Sequence, residues 1–274
     1  MNTRPFTIFG AIGAGFYSLV DHYWSWLKVT LMTIAILIVS LIPFGLLFGI
    51  SVWFAAIMKH MFILRLAVLA LMVWIVFSYL LFAVLLFLGW FRAFFHMYDN
   101  KEVRASSVMH FVKQRNGMLA FNFIIASLFY SVIVSVGLLL LIIPGIIWAT
   151  RFGYFMYCMI EDPRLGPVEA LKRSYNLVKG HTGRVLCFIV VIWVLLQSIP
   201  AFFQQLRFMK FGKQYSMIPG MPSDIQIGIS IFGGLVALLN AFFLWPWHVF
   251  ANIHVYRSLQ RAKGELRVKI EKIY

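Results

Sequence analysis

The sequence predicts an all-α polytopic transmembrane bundle of six spans with three short interfacial amphipathic helices. Three observations predict it. The composition is 62% hydrophobic and only 12% charged, against about 45–50% and about 25% in a soluble domain. The apolar residues gather in runs near the length of about 20 that a spanning helix needs. The net charge of +15 is concentrated in short segments between those runs, as orientation signals and contacts to anionic lipid are. A nucleic-acid binder could carry the same excess, but this distribution argues against nucleic acid as a partner.

The elements follow in order. Phe6–Val20 has helical periodicity, with Ile12, Phe16, Leu19, Val20 and Tyr23 on one side, and carries no small-x-small cleavage site before Asp21. It reads as a retained amphipathic helix rather than a cleaved signal. The candidate spans are Trp26–Ile50, Phe62–Phe95, Met118–Ile143, Pro144–Ile160, Val185–Leu206 and Ile227–Tyr256. The third and fourth abut at Ile143-Pro144-Gly145, where a tight turn is expected. Pro43–Met58 reads as the end of the first helix plus a non-cytoplasmic interfacial segment. The alternative is an extra short span. Residues 1–274 then form one integral membrane domain: an amphipathic segment (1–25), hairpins at 26–98, 99–160 and 161–258, and a basic cytoplasmic tail (259–274).

Orientation follows from the cations. Eighteen of the 24 Lys and Arg residues fall on one side of this topology and five on the other, with Arg151 inside a span. Both termini are therefore expected in the cytoplasm, and the protein in the inner (plasma) membrane. Cys158 and Cys187 fall near cytoplasmic helix ends and are expected as reduced thiols. They show no metal-ligand spacing, and no cofactor is expected.

A threefold internal repeat is one reading of the pattern. Leu19-Val20 with Ser25, Phe111-Val112 with Gly117, and Leu177-Val178 with Gly183 each precede an odd-numbered span. Those spans reach Ile42-Pro43, Ile143-Pro144 and Ile199-Pro200. The other reading is coincidence among Val- and Ile-rich helices.

The clearest local signal runs from Gly166 to Gly180. Pro167 suits a first helical turn, Glu169 complements its positive end, and Lys179 with Gly180 suits the stop. Val168, Leu171, Tyr175 and Val178 would form an apolar stripe. Such a helix lies in the cytoplasmic interface, either docking anionic head groups or a partner through Lys172, Arg173 and Lys179, or serving as an orientation anchor. Lys101–Arg115 is a second such helix, with Ala105, Val108, Met109 and Val112 on one side.

Arg151 is the most informative single residue. It falls about 10 Å into the fourth span, where a guanidinium costs at least about 2.5–3.5 kcal/mol. None of the nine acidic residues falls well inside a span. Its partners are then carbonyls, aromatic faces, a side chain such as Asn122 or Asn240, or a lipid phosphate. Either Arg151 lines a cavity and holds an anion, or it snorkels or satisfies carbonyls at a helix break. The lack of carboxylates in the bilayer weighs against a proton-coupled carrier. In the sixth span, Asn240, His248 and Asn252 are candidate cavity-lining residues, with Pro246 expected to kink the helix. The alternative is hydrogen-bonded packing between helices. No catalytic residue is expected, because there is no G-x-S-x-G, no H-E-x-x-H and no phosphate-binding Gly loop. Glu161-Asp162 reads as a helix stop before Pro163.

Pro144-Gly145, Arg151, Glu161-Asp162, Gly166-Pro167, Glu169-Ala170-Leu171, Ser174, Leu177 and Gly180 together resemble a pattern of bacterial six-span proteins. These are the YciC-like inner-membrane proteins and the membrane domain found beside glycerophosphodiester phosphodiesterase domains. The resemblance implies an integral inner-membrane protein and no catalysis, since the phosphodiesterase activity belongs to an attached soluble domain. The expected function is a non-enzymatic membrane protein whose basic collar contacts anionic lipids or a membrane partner. The alternative is a permease for a small anionic solute or lipid.

Overall fold

The computed structural model describes residues 6–57, 62–99, 108, 117–195 and 240–265. Among them the chain is helical, with no strand. The helices are α1 (Ile8–Ile57), α2 (Phe62–Tyr98), α3 (Gly117–Leu140), α4 (Ile142–Phe152), α5 (Phe155–Glu161), α6 (Pro167–Val178), α7 (Thr182–Leu195) and α8 (Trp245–Ala262), with a π-helical turn at Asn240–Leu244 before α8. α1, α2 from Leu66 onward and α3 are long and apolar enough to cross a bilayer, and a fourth is reached if the bent pair α6 and α7 counts as one span.

α1 is one helix where the sequence suggested an amphipathic segment followed by a separate span. Pro43 sits inside it. Proline removes one donor, that of the bond to the Val39 carbonyl, and the helix continues on the strength of its apolar neighbours. Pro43–Ile57, the described part of the uncertain stretch, is thus a continuation of the first helix. From Val29 to Ile57 no side chain is charged, about 44 Å of helix at about 1.5 Å per residue.

The turn between the third and fourth expected spans is displaced. The break falls at Leu141, which is extended (φ −159°, ψ 134°), and Pro144 lies in the first turn of α4. There its missing N–H has no intrahelical partner to lose. The expected fourth span, Pro144–Ile160, is itself two helices, interrupted at Gly153-Tyr154.

The chain divides into two compact units, Met1–Asp21 with Leu177–Tyr274, and His22–Asn176. In the first, Ala11 and Leu19 of α1 are fully buried. A Cβ on Gly15 would stand 2.7 Å from the Ala251 nitrogen and 2.8 Å from its Cα, so two backbones meet there. Trp247 Nε1 donates to the Ile12 carbonyl at 2.9 Å, and its ring meets Phe16 edge-on. α7 turns Val185, Phe188 and Ile192 inward at helical spacing, with Phe188 against Phe6.

In the second unit α1 and α2 form a hairpin. Phe44 packs on Tyr79, with ring centroids 4.9 Å apart, and Trp90 Nε1 donates to Thr30 Oγ1 at 3.0 Å. Burial is concentrated at one end of the unit, where Phe91 and Phe95 of α2 meet Tyr157 of α5 and where Phe94 and, on α3, Leu119, Ala120 and Ala126 are buried. Elsewhere α1, α2 and α3 leave large apolar side chains exposed, the surface that lipid covers in a membrane protein.

Of the proposed repeat, Leu19 is buried and Val20 exposed, while Leu177 and Val178 are both buried. Phe111-Val112 and Ile199-Pro200 lie outside the described residues, as does Lys101–Arg115 apart from the buried Val108.

Candidate functional site

Arg151, Ser174 and Tyr175 meet at the interruption between α4 and α5. A helix that stops at Phe152 and restarts at Phe155 has carbonyls and N–H groups without intrahelical partners. Ser174, fully buried on α6, supplies both needs. Its hydroxyl donates to the Arg151 carbonyl at 2.8 Å and accepts from the Tyr154 N–H at 3.1 Å.

Arg151 occupies the last turn of α4, where the negative end of the helix dipole favours a cation. Its Nη1 donates to the Tyr175 hydroxyl at 3.1 Å, and its guanidinium carbon lies 5.1 Å from the centre of the same ring. The Phe152 ring also packs on Tyr175, 5.6 Å between centroids. One partner is thus an aromatic side chain, brought by a helix that the sequence places at the interface.

α6 is held at both ends as its sequence requires. The Gly166 N–H donates to Glu169 Oε2 at 3.2 Å, Pro167 opens the helix, and Gly180 beyond its end has φ +93°. Arg173 pairs with the nearly buried Glu161 at 3.2 Å, so Glu161 is more than a helix stop. Asp162 Oδ1 accepts from the Arg164 N–H. The buried edge differs from the expected stripe. Ala170, Leu171, Ser174, Leu177 and Val178 face inward, whereas Val168 is exposed and Tyr175 half-buried. Ser174, at the centre of that buried edge, is the residue that meets the α4–α5 interruption. Lys172, Asn176 and Lys179 remain on the exposed edge.

Asn240, His248 and Asn252 lie in the other unit. Asn240 is in the π-helical turn that precedes Pro246, where a kink was expected, and is half-buried, as is His248. Asn252 is buried and donates to the His248 carbonyl at 2.9 Å, a bond within its own helix. One turn further on, Gln260 Nε2 donates to the Tyr256 hydroxyl and Arg257 Nη1 donates to Gln260 Oε1, each at 3.1 Å. This buried polar ladder was not singled out from the sequence, although Asn252, Tyr256 and Gln260 recur at every fourth position.

His181, between α6 and α7, has its imidazole pKa lowered by burial and by Lys263 and Arg184. Neither cysteine forms a disulfide; Cys158 is buried and Cys187 exposed. Among the described residues no three His, Cys, Asp or Glu side chains converge. Compared with known proteins, the chain matches no family model, no curated protein and no solved structure.

Proposed function

We propose that this is a non-enzymatic, multi-pass inner-membrane protein with cytoplasmic termini, whose α6 helix holds anionic lipid head groups at the membrane surface. The observation that carries the reading is the division of α6. Ser174 is buried against the α4–α5 interruption, Arg173 is matched to Glu161, and Lys172 and Lys179 stand exposed. A helix fixed to the protein by one edge presents the other to the surface on which it lies. The likeness of Pro144–His181 to the YciC-like group supports the same reading.

The test is lipid retention by the full-length protein. Each surface lysine contributes about 1 kcal/mol of attraction to an anionic leaflet. Lys172→Ala with Lys179→Ala is therefore expected to weaken retention of phosphatidylglycerol over phosphatidylcholine by on the order of 30-fold, read by native mass spectrometry. Equal retention by the wild type and the double variant refutes the proposal.

One observation favours a second reading, a permease for a small anionic solute. Arg151 stands at a helix interruption, and interrupted helices with charged or dipolar ends form the solute sites of many transporters. Anion flux in proteoliposomes that disappears with Arg151→Leu supports this reading. Full folding and full phenotype in Arg151→Leu removes Arg151 from either one.

A further inference from the structure

The α3–α4 hairpin has an apex of unusual composition. From Val136 to Ala149 the Trp148 indole is the one side-chain hydrogen-bonding group. The five residues Leu139–Ile143 are 66–88% exposed. Leu141 alone separates the helices, and its backbone is bonded on both sides, its N–H to the Gly137 carbonyl and its carbonyl to the Gly145 N–H. The arms close tightly because both are glycine at the crossing. A Cβ on Gly137 would stand 2.9 Å from the Gly145 Cα, and one on Gly145 would stand 2.6 Å from the Leu138 nitrogen. Loops that emerge into water are polar, and this apex is not.

The depth of the apex can be measured from Arg151. Tyr175 and Ser174 tie Arg151 to α6, which bears Glu169, Lys172 and Arg173. A helix with that charge is excluded from the hydrocarbon and lies among head groups. From Arg151 to Ile142 the helix rises about 14 Å. The other arm agrees. At the start of α3 Leu119, Ala120 and Ala126 are buried with Met118 and Phe121 exposed among them, and beyond Ala126 the exposed apolar side chains run from Leu128 to Leu140, about 18 Å. The hydrocarbon of a bilayer is about 30 Å deep. By contrast the α1–α2 hairpin exposes apolar side chains from Leu31 to Ile57, about 39 Å, enough to reach the far side.

We infer that the α3–α4 hairpin is re-entrant: it enters the leaflet on which α6 lies, turns at the bilayer midplane against acyl-chain ends, and returns. Its partner surface is the lipid of one leaflet, and residues 117–161 add no crossing although α3 is long enough for one. Because a hairpin begins and ends on the same side in either arrangement, the orientation of every other element is unchanged.

The test is a fluorophore on Leu141→Cys in the full-length protein with Cys187→Ser, reconstituted in vesicles containing lipids spin-labelled at different depths. The label is expected within about 5 Å of the midplane, and Leu141→Cys in native membrane vesicles is expected to resist membrane-impermeant maleimide from either side. A label nearer a head-group zone, or reaction with the impermeant reagent, overturns the inference. Leu139→Cys provides the same readout should Leu141→Cys not accumulate.

Discussion

The Ser174 hydroxyl donates to the carbonyl of Arg151 and thereby closes the C-terminal end of α4 from a different helix. The same oxygen accepts from the Tyr154 N–H as α5 begins. One buried side chain therefore replaces hydrogen bonds that the interruption removes.

Ser174→Ala is expected to destabilise the protein by more than an ordinary hydrogen-bond deletion. Two backbone groups lose this partner at a fully buried position, at about 1–3 kcal/mol each. Unfolding midpoints in detergent measure the effect, and an unchanged midpoint contradicts it.

Tyr175→Phe and Tyr175→Ala separate the two components of the Arg151 contact. Phe removes the hydroxyl acceptor and keeps the ring face, whereas Ala removes both. Ala is expected to cost about 0.5–1 kcal/mol more than Phe, the usual size of a partly exposed cation–π contact. Equal losses from the two variants mean that the ring contributes nothing.

Gly13→Ala and Gly15→Ala are expected to have opposite signs although they lie two residues apart in α1. A Cβ on Gly13 meets nothing within 4 Å, so the gain in helix propensity, about 1 kcal/mol, stands alone. A Cβ on Gly15 meets the Ala251 backbone, and separating two packed helices costs about 1–3 kcal/mol. Thermal unfolding of the pair in one detergent checks both.

Gly180→Ala forces a side chain into φ +93° and is expected to cost about 1–2 kcal/mol. Gly183→Ala, with open space at its Cβ and no positive φ, is the control.

His181 is expected to titrate below the ordinary histidine range, because burial and the cations of Lys263 and Arg184 disfavour its charged form. A depressed folded-state pKa means that the neutral form stabilises the fold. That contribution is present above the unfolded-state pKa of about 6.5 and is lost as pH falls through the folded value. An NMR titration of the imidazole reads it directly, and His181→Gln is expected to flatten the acid limb of stability against pH.

Much of the helical character was legible because apolar run length and Pro/Gly punctuation are local signals. Pro167, Glu169 and Gly180 stand where the sequence put them, at the start, first turn and stop of α6. What escaped was set by contacts between distant residues. Gly153 alone gave no warning that a span would break, because the break is stabilised by Ser174, twenty residues beyond Tyr154. The stripe of α6 was misassigned by one edge for the same reason: a helix that packs on protein buries small residues, and a hydrophobic count favours large ones such as Val168. That Arg151 needs a partner is legible in the sequence, whereas its proximity to Tyr175 depends on where α6 folds back.

The uncharged run of α1 carries a consequence for the lipid around it. A stretch of about 44 Å in a slab of about 30 Å leaves a hydrophobic mismatch that can be relieved by inclining the helix to the membrane normal. The inclination required is about 45°, steeper than the 0–40° that spanning helices usually adopt. Were the whole run to cross one bilayer, longer acyl chains would lessen that lean, and a thin bilayer would have to stretch beside it.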